Sequence, residues 1–284
     1  MARLAENSYG KSDVRLTKVV RRNGIHSLLE LTVRIMLGGA FEPVYTEGDN
    51  SLCIPTDTMK NTVYALARQH DFDSPESFGK ILAAHFLEHF SQVTSAEIGI
   101  EQAPWERIPV GGSPHPHAFT KAGSGMRTCT GRSDRTGALQ VSGGLLGLDV
   151  IKTTRSGFVG FLKDQYTTLT ETSDRIFSTR IDATWVYGGS APNAAFSDDA
   201  HERARRILLE TFATHDSKSV QQTMYAMGEA LLAEIPEISS VSLCMPNKHR
   251  MLVNLEQFGM SNENEIFVAT SEPFGLIKAT VTRE

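Results

Sequence analysis

Residues 14–35 read VRLTKVVRRNGIHSLLELTVRI, and this stretch decides the fold class. Apolar and polar residues alternate from Val14 to Val20, and a period of two returns between Leu29 and Ile35. Between these segments, Asn23-Gly24 is a dipeptide that favours a tight turn with positive φ. The stretch therefore predicts a long antiparallel β-hairpin.

Helical periodicity appears in two separate pairs of segments. The first pair is predicted to begin near Thr56 or Asp57, whose side chains can cap free amide groups, and at Ser74-Pro75. The second pair is predicted over residues 199–212 and 219–235. The apolar residues expected to face the core are Met59, Val63, Leu66 and Ala67, then Phe78, Ile81, Leu82 and Phe86, then Ala204, Ile207, Leu208 and Phe212, and finally Val220, Met224, Met227 and Leu231.

Further strands are predicted between glycine-rich turns, and residues 188–197 are predicted to form a loop. These strands are expected around residues 96–100, 117–121, 126–130, 139–141, 148–153 and 175–187. Two strands, two helices and more strands thus occur twice, which indicates an internal duplication. We place the boundary near Arg132–Gly137, with one repeat in residues 1–135 and the other in 136–284, and expect an α+β fold.

Composition is typical of a soluble globular enzyme. The 284 residues are 40% hydrophobic and 21% charged, and the net charge of −5 gives no footprint for nucleic acid or an anionic membrane as partner. Cys53, Cys129 and Cys244 show no paired spacing, which favours free thiols in a reducing compartment. The first residues lack the apolar core of a secretory signal, and a cytoplasmic protein is expected.

Two histidine motifs suggest metal sites. His85 and His89 match an H-x-x-E-H pattern and share one helix face, but the motif alone supplies no third ligand. His115 and His117 could bind a metal from alternate strand positions, although alternate residues also simply share a sheet face. We favour structural roles for all four histidines and expect no metal.

No nucleotide cofactor is indicated by the glycine clusters. Neither residues 123–125 nor residues 143–144 follow the dinucleotide-binding pattern at a strand-to-helix turn. A phosphate-loop motif is missing from the sequence as well.

The segment from Phe158 to Arg175 combines an aromatic ring, a Thr-rich turn and a guanidinium. A planar, anionic, nitrogen-rich ligand needs a ring to stack on and a two-pronged donor for its edge. Each polar group also has a structural explanation, since Arg175 could pair with Asp174 or Glu171, and Thr56 could only cap a helix. Distant segments carry the other candidate polar groups, namely Tyr9-Gly10-Lys11, Thr56-Asp57, Val220-Gln221 and Asn247-Lys248-His249.

Taken together and in order, these segments closely resemble the urate oxidase (uricase) family over nearly the whole chain. The matching segments are residues 9–11, 56–64, 114–119, 160–169, 222–225, 243–249 and 273–280. Within them, Pro246-Asn247-Lys248-His249 is the key part. So many colinear matches are more specific than any of the isolated motifs.

The resemblance implies the tunnelling fold (T-fold), in which two tandem repeats each pair an antiparallel sheet with two helices. It also implies a homotetramer, in which four chains form a barrel with active sites at subunit interfaces. The implied reaction oxidises urate with O2 and water to 5-hydroxyisourate and hydrogen peroxide. Neither a metal nor a flavin is needed for it, so no cofactor is expected.

The resemblance also assigns the substrate-binding residues. Arg175 and Gln221 look like the pair that grips the edge of urate, and Phe158 looks like the ring on which it stacks. The remaining pocket groups implied are the backbones of Asp57 and Val220 and the side chain of Leu169.

Lys11, Thr56 and His249 look like the catalytic residues, with His249 contributed by the neighbouring subunit. Urate must lose a further proton before it passes an electron to O2, and a Thr hydroxyl alone is too weak a base. A neutral Lys11 could take that proton through Thr56. Asn247, with Thr56, looks like the group that holds O2 and then water above the stacked ring.

Two alternatives share the fold. One is another tunnelling-fold enzyme acting on a purine or pterin, although a cyclohydrolase would usually need a Cys and His zinc site. The other is a urate-binding protein without catalysis, which the presence of Lys11, Thr56, Asn247 and His249 disfavours. Release of peroxide distinguishes urate oxidase from both.

Overall fold

The computed structural model describes residues 2–137, 139–188, 198–270 and 272–283. Its strands are β1 (Tyr9–Arg22), β2 (Ile25–Gly39), β3 (Val93–Gln102), β4 (Trp105–Val110), β5 (Ser113–Lys121), β6 (Met126–Asp134), β7 (Leu139–Lys152), β8 (Phe177–Tyr187), β9 (Ile238–Lys248), β10 (Arg250–Leu252), β11 (Phe267–Ala269) and β12 (Gly275–Thr282). Its helices are α1 (Glu42–Thr46), α2 (Thr56–Gln69), α3 (Pro75–His89), α4 (Asp198–Thr214) and α5 (Val220–Glu234), with a 3₁₀ turn at Glu256–Phe258.

The predicted hairpin is confirmed as β1 and β2. The strands pair antiparallel with Val14 opposite Val33, and the turn residues Asn23 and Gly24 have φ values of 50° and 78°. The ladder shifts register once, between Lys11 and Val14. That shift marks a β-bulge, a feature that re-aims side chains and is common beside active sites.

The chain divides into two compact units, Met1–Gly144 with Gly189–His201 and Leu145–Gly188 with Glu202–Glu284. In the first unit the strands run in the order β1-β2-β3-β6, and every neighbouring pair is antiparallel. The predicted stripe of α2 is fully buried, and α3 buries Phe78, Leu82 and Phe86, with Ile81 only partly buried. The Ser74 side chain caps α3 by accepting a hydrogen bond from the Ser77 amide.

The expected caps of α2 are wrong. Pro55 occupies the position before the helix, and neither Thr56 nor Asp57 makes a capping hydrogen bond. Thr56 lies one position and Asp57 two positions after the N-cap, too late to reach the free amides of the first turn in the usual way. The Asp57 carboxylate instead accepts hydrogen bonds from Lys60 and Asn61. Thr56 is therefore left for another role.

In the second unit, β8, β9 and β12 are adjacent in that order, and both neighbouring pairs are antiparallel. The stripes predicted for α4 and α5 are buried against a core that includes Trp185 and Met245. One strand prediction is wrong, because the segments 139–141 and 148–153 form the single strand β7. Gly143 and Gly144 stay extended within it, and only Gly147 has a positive φ, of 78°.

Three further findings concern the predictions from composition. All three cysteines are free thiols. No helix in the described part of the chain combines the length and apolar character needed to cross a bilayer. Of the predicted loop 188–197, all but Gly188 lies outside the described residues.

Candidate active site

The predicted site residues fall into two sets, one in each unit. Lys11, Thr56 and Asp57 belong to the first unit. The second unit contains Phe158, Leu169, Arg175, Val220, Gln221, Asn247 and His249.

The first set is gathered where β1 begins beside the start of α2. Lys11 is half-buried on β1, directly before the bulge, and Thr56 is the first residue of α2. The pKa of Asp57 is lowered chiefly by the hydrogen bond from Lys60, and the positive charge of Lys11 adds to that effect. The side chains of Lys11 and Thr56 have no hydrogen-bond or ion-pair partner among the residues that the structure describes. Both are therefore available to a ligand.

Gly10, immediately before Lys11, has no room for a side chain. A Cβ at this position would lie 1.7 Å from the carbonyl oxygen of Ile35, the residue paired with Lys11. Since that neighbour is backbone of the partner strand, the contact could be relieved only by moving β1 away from β2. Gly10 thus sets how closely Lys11 approaches the sheet.

We expect Gly10→Ala to lower the free energy of unfolding by about 1–3 kcal/mol, the usual cost of overpacking. Turnover should fall as well, because the same shift displaces Lys11. Denaturant unfolding and activity assays would measure both. Gly131→Ala is the matched control, because a Cβ at Gly131 on β6 meets nothing within 4 Å. Equal stability losses in the two variants would contradict the steric argument.

In the second unit, backbone hydrogen bonds join three loops. The amide of Gly157 donates to the carbonyl of Ser217 at 2.8 Å, and the amide of Phe158 donates to the carbonyl of Thr172 at 2.7 Å. The amide of Arg175 donates to the carbonyl of Ser156, also at 2.7 Å. These bonds fix Phe158 and Arg175 beside the segment that leads into α5.

Arg175 and Phe158 form the core of the second set. The guanidinium carbon of Arg175 lies 5.4 Å from the centroid of the Phe158 ring. Burial lowers the pKa of Arg175 from its ordinary value. No carboxylate within the described ranges pairs with this guanidinium, so the proposed ion pairs with Asp174 or Glu171 are not formed.

Both candidate carboxylate partners of Arg175 are occupied elsewhere. Asp174 accepts hydrogen bonds from the Thr154 hydroxyl at 2.7 Å and the Ser156 amide at 3.2 Å. Glu171 pairs with Lys163 at 2.9 Å. A half-buried guanidinium is thus left uncompensated against an aromatic ring, an arrangement that suits a planar anion.

The remaining binding candidates in the second unit are Val220, Gln221 and Leu169. Val220 and Gln221 open α5, whose N-cap is the Ser219 side chain. Val220 is buried, whereas the amide side chain of Gln221 is exposed and unpartnered within the described chain. Leu169 is 54% exposed. Phe161, which the sequence reasoning did not select, stacks on Phe158 with ring centroids 4.9 Å apart and covers one face of that ring.

Asn247 and His249 lie at the end of β9. Asn247 pairs with Thr179 on β8 and with Gly275 on β12. His249 falls between β9 and β10, and its carbonyl accepts a hydrogen bond from the Thr270 amide. Across the described residues, no hydrogen bond joins either side chain to another predicted site residue.

A buried polar network supports the start of α5, and sequence reasoning missed it. The Thr223 hydroxyl donates to the Ser217 hydroxyl at 2.7 Å and lies 3.1 Å from Nδ1 of His215. Ser217 in turn donates to the Ser219 carbonyl at 3.0 Å. Because Ser217 and Thr223 are fully buried, the hydrogen bond between them stabilises the loop that leads into α5 and so helps to position Gln221 in its first turn.

His215 gives this network a pH dependence. Burial lowers the pKa of His215 below its ordinary value of 6.5, and the positive charge of Lys152 lowers it further. The other charged groups that act on it are Asp216, which raises its pKa, and Arg155 and Lys218, which lower it.

Since the unfolded chain takes up a proton at His215 more readily, the free energy of unfolding should decrease as pH falls below about 6.5, the ordinary histidine value, and should not depend on this residue above it. His215→Asn should reduce that slope. Denaturant unfolding above and below this pH would measure it. Burial also lowers the pKa of His85. The variant should therefore keep a smaller pH dependence of the free energy of unfolding, with the same sign. An unchanged slope in the variant would contradict the assignment.

The histidine motifs show structural contacts. The rings of His85 and His89 stack with centroids 4.2 Å apart, and those of His115 and His117 lie 4.5 Å apart and nearly perpendicular. Nowhere in the described ranges do three or more His, Cys, Asp or Glu side chains form a group suited to a metal ion.

Known uricases resemble this chain over nearly its whole length. The uricase family profile matches residues 7–131 and 141–278. Uricase from Arthrobacter globiformis is 43% identical over 99% of this chain and 90% of its own length. Uricase from Aspergillus flavus is 39% identical over 97% of this chain and 95% of its own length. The chain belongs to the uricase family.

The structural comparison supports the same family. The crystal structure of uricase from Arthrobacter globiformis superposes with a TM-score of 0.94 at 42% identity, covering 100% of this chain and 96% of that one. The predicted α+β tunnelling fold is thereby confirmed for this chain. The predicted enzyme class, urate oxidase, is confirmed as well.

Proposed function

We propose that this chain oxidises urate with O2 and water to 5-hydroxyisourate and hydrogen peroxide. The single observation that supports the binding step best is the unpaired, half-buried guanidinium of Arg175 beside the Phe158 ring. Urate is planar and anionic, and it presents carbonyl oxygens and ring nitrogens along its edges. A guanidinium fork beside an aromatic face matches both properties.

Binding is divided among several groups of the second unit and the backbone of Asp57 from the first unit. Urate stacks on Phe158, its edge accepts hydrogen bonds from Arg175, and Gln221 contacts the other side through its amide. The backbone of Val220, the side chain of Leu169 and the backbone of Asp57 complete the pocket. The buried Ser217–Thr223 network keeps the start of α5, and with it Gln221, in place. Specificity therefore depends on the planarity of the ligand and on the hydrogen-bonding pattern of its edge.

In the proposed mechanism, the proton of urate is removed by Lys11, Thr56 and His249. Thr56 receives a proton from urate and passes it to Lys11 in its unprotonated form, while His249 tunes this relay. The deprotonated urate then transfers two electrons in succession to O2, and Asn247 and Thr56 hold first O2 and then the attacking water above the ring. The reduced O2 takes up the proton from the relay and a second proton from the water, and so becomes hydrogen peroxide. Water adds to the oxidised ring as peroxide leaves, so one urate, one O2 and one water give one 5-hydroxyisourate and one hydrogen peroxide.

We place the complete site at a subunit interface of a homotetramer. Lys11, Thr56 and Asp57 of one chain and the second-unit residues of its neighbour would supply the two halves of the site. Repeats 1–135 and 136–284 would then form a barrel in the assembled enzyme. The proposed reaction needs no metal or flavin, and we place the enzyme in the cytoplasm.

The decisive experiment follows loss of urate absorbance, O2 uptake and peroxide release in one sample of chelator-treated protein. Matched consumption of urate and O2 with formation of peroxide is the expected result. Urate binding without turnover would instead indicate a silent binding protein. Activity restored only by added metal would indicate that one of the histidine motifs binds a catalytic metal ion.

A further inference from the structure

The phenol of Tyr9 connects the two elements that carry the proposed catalytic pair. The backbone amide of Ile54 donates to the Tyr9 hydroxyl at 2.6 Å, and that hydroxyl donates to the Ile54 carbonyl at 3.2 Å. One side chain thus holds both polar groups of a residue 45 positions away. The Tyr9 ring is itself held edge-on against the buried Phe41, with centroids 4.8 Å apart.

On β1 and at the start of α2, the residue that makes the Tyr9–Ile54 contact lies two positions before the proposed catalytic residue. Tyr9 and Lys11 are two residues apart on β1 before the bulge, so they project from the same face of the strand. Ile54 and Thr56 are also two residues apart, and Pro55 between them limits the backbone freedom of that step. A fixed contact between Tyr9 and Ile54 therefore fixes Lys11 relative to Thr56.

We infer that Tyr9 is a positioning residue for the relay, which holds the first turn of α2 against β1 through Ile54 and so keeps the Thr56 hydroxyl within reach of Lys11. This inference rests on the proposed function. Neither side chain of the pair has a hydrogen-bond or ion-pair partner within the described chain, so no such bond of their own orients their polar groups. Burial raises the pKa of Tyr9 to about 12, so the phenol keeps its proton wherever the enzyme is assayed.

Tyr9→Phe tests the inference, because it removes the hydroxyl and keeps the ring on Phe41. We expect kcat for urate to fall about tenfold, as for loss of precise orientation, with urate affinity nearly unchanged. Tyr45→Phe is the matched control, since the Tyr45 hydroxyl donates a hydrogen bond to a backbone carbonyl just before β1, that of Ser8 at 3.2 Å, and not to Ile54. The control should keep its kcat.

A double-mutant cycle separates positioning from a structural role. If Tyr9 acts through Thr56, adding Tyr9→Phe to Thr56→Ala should cause no further loss of kcat. Equal fractional losses in both backgrounds would overturn the inference, as would an unchanged kcat in Tyr9→Phe. A Tyr9→Phe chain that no longer folds would also overturn it, because the hydroxyl would then serve overall stability. Absence of urate turnover in the unaltered enzyme would reject the proposed function, and the inference with it.

Discussion

Lys11→Met should lower kcat for urate by about 10²- to 10⁴-fold, the range typical of losing a general acid–base group. Urate affinity should change little, because the residues assigned to edge binding, Arg175 and Gln221, are not altered. Methionine preserves most of the aliphatic length of lysine, so packing along β1 is retained. The half-buried amino group of Lys11 also lacks a partner in the described chain, and its loss should leave folding stability nearly unchanged.

Steady-state kinetics, with urate affinity measured separately without O2, would test this expectation. Lys121→Met is a suitable control, because its exposed ammonium on β5 lies 3.8 Å from Glu30 and outside the proposed relay. Thr56→Ala should behave like Lys11→Met. Because the two residues act in one step, the double variant should be little worse than either alone. Equal losses of affinity and turnover would remove Lys11 from the relay.

Local patterns predicted much of the fold. The alternation around Asn23-Gly24 gave the correct hairpin, and nearly every core position that periodicity predicted on α2, α3, α4 and α5 is buried. These features depend on neighbours three or four residues apart in a helix, or two apart in a strand. Such short-range information is fully contained in the sequence.

The wrong structural predictions arose where one local sequence pattern is compatible with two structures. Thr56 and Asp57 are good capping residues, yet Pro55 takes the capping position because its fixed φ suits the entry to the helix. Gly143-Gly144 is typical of a turn, but pairing with neighbouring strands keeps it extended within β7. In both cases tertiary context outweighed propensity.

The residues of the candidate site were predicted from the family resemblance. The hydrogen bonds that hold these residues in place were not predicted. Composition alone could not separate Arg175 as an anion receptor from Arg175 as the partner of Asp174. That distinction needed the contacts that occupy Asp174 and Glu171. Likewise, the bonds from Tyr9 to Ile54 and from Gly157 to Ser217 join distant segments and leave no periodic signal in the sequence.

Arg175→Ala should weaken urate binding by about 3–5 kcal/mol, the usual cost of leaving a buried charge without its partner. This corresponds to a loss of affinity of about 10²- to 10⁴-fold. The effect should appear mainly in affinity, because the relay at Lys11 and Thr56 is untouched. Arg175→Lys should recover only part of the loss, since an ammonium cannot form two parallel hydrogen bonds to one edge.

Anaerobic titration with urate would measure affinity without turnover, and saturating urate would then show whether kcat survives. Arg132→Ala is the matched control, because its guanidinium is largely exposed and pairs with Glu97 on the neighbouring strand. The two variants should also differ in the free protein. Arg175 contributes no ion pair within the described chain, so its removal should not lower the free energy of unfolding and should relieve the burial of an unpaired charge. If Arg175→Ala unfolds more easily and still binds urate normally, the guanidinium has a structural role and the anion receptor must be sought elsewhere.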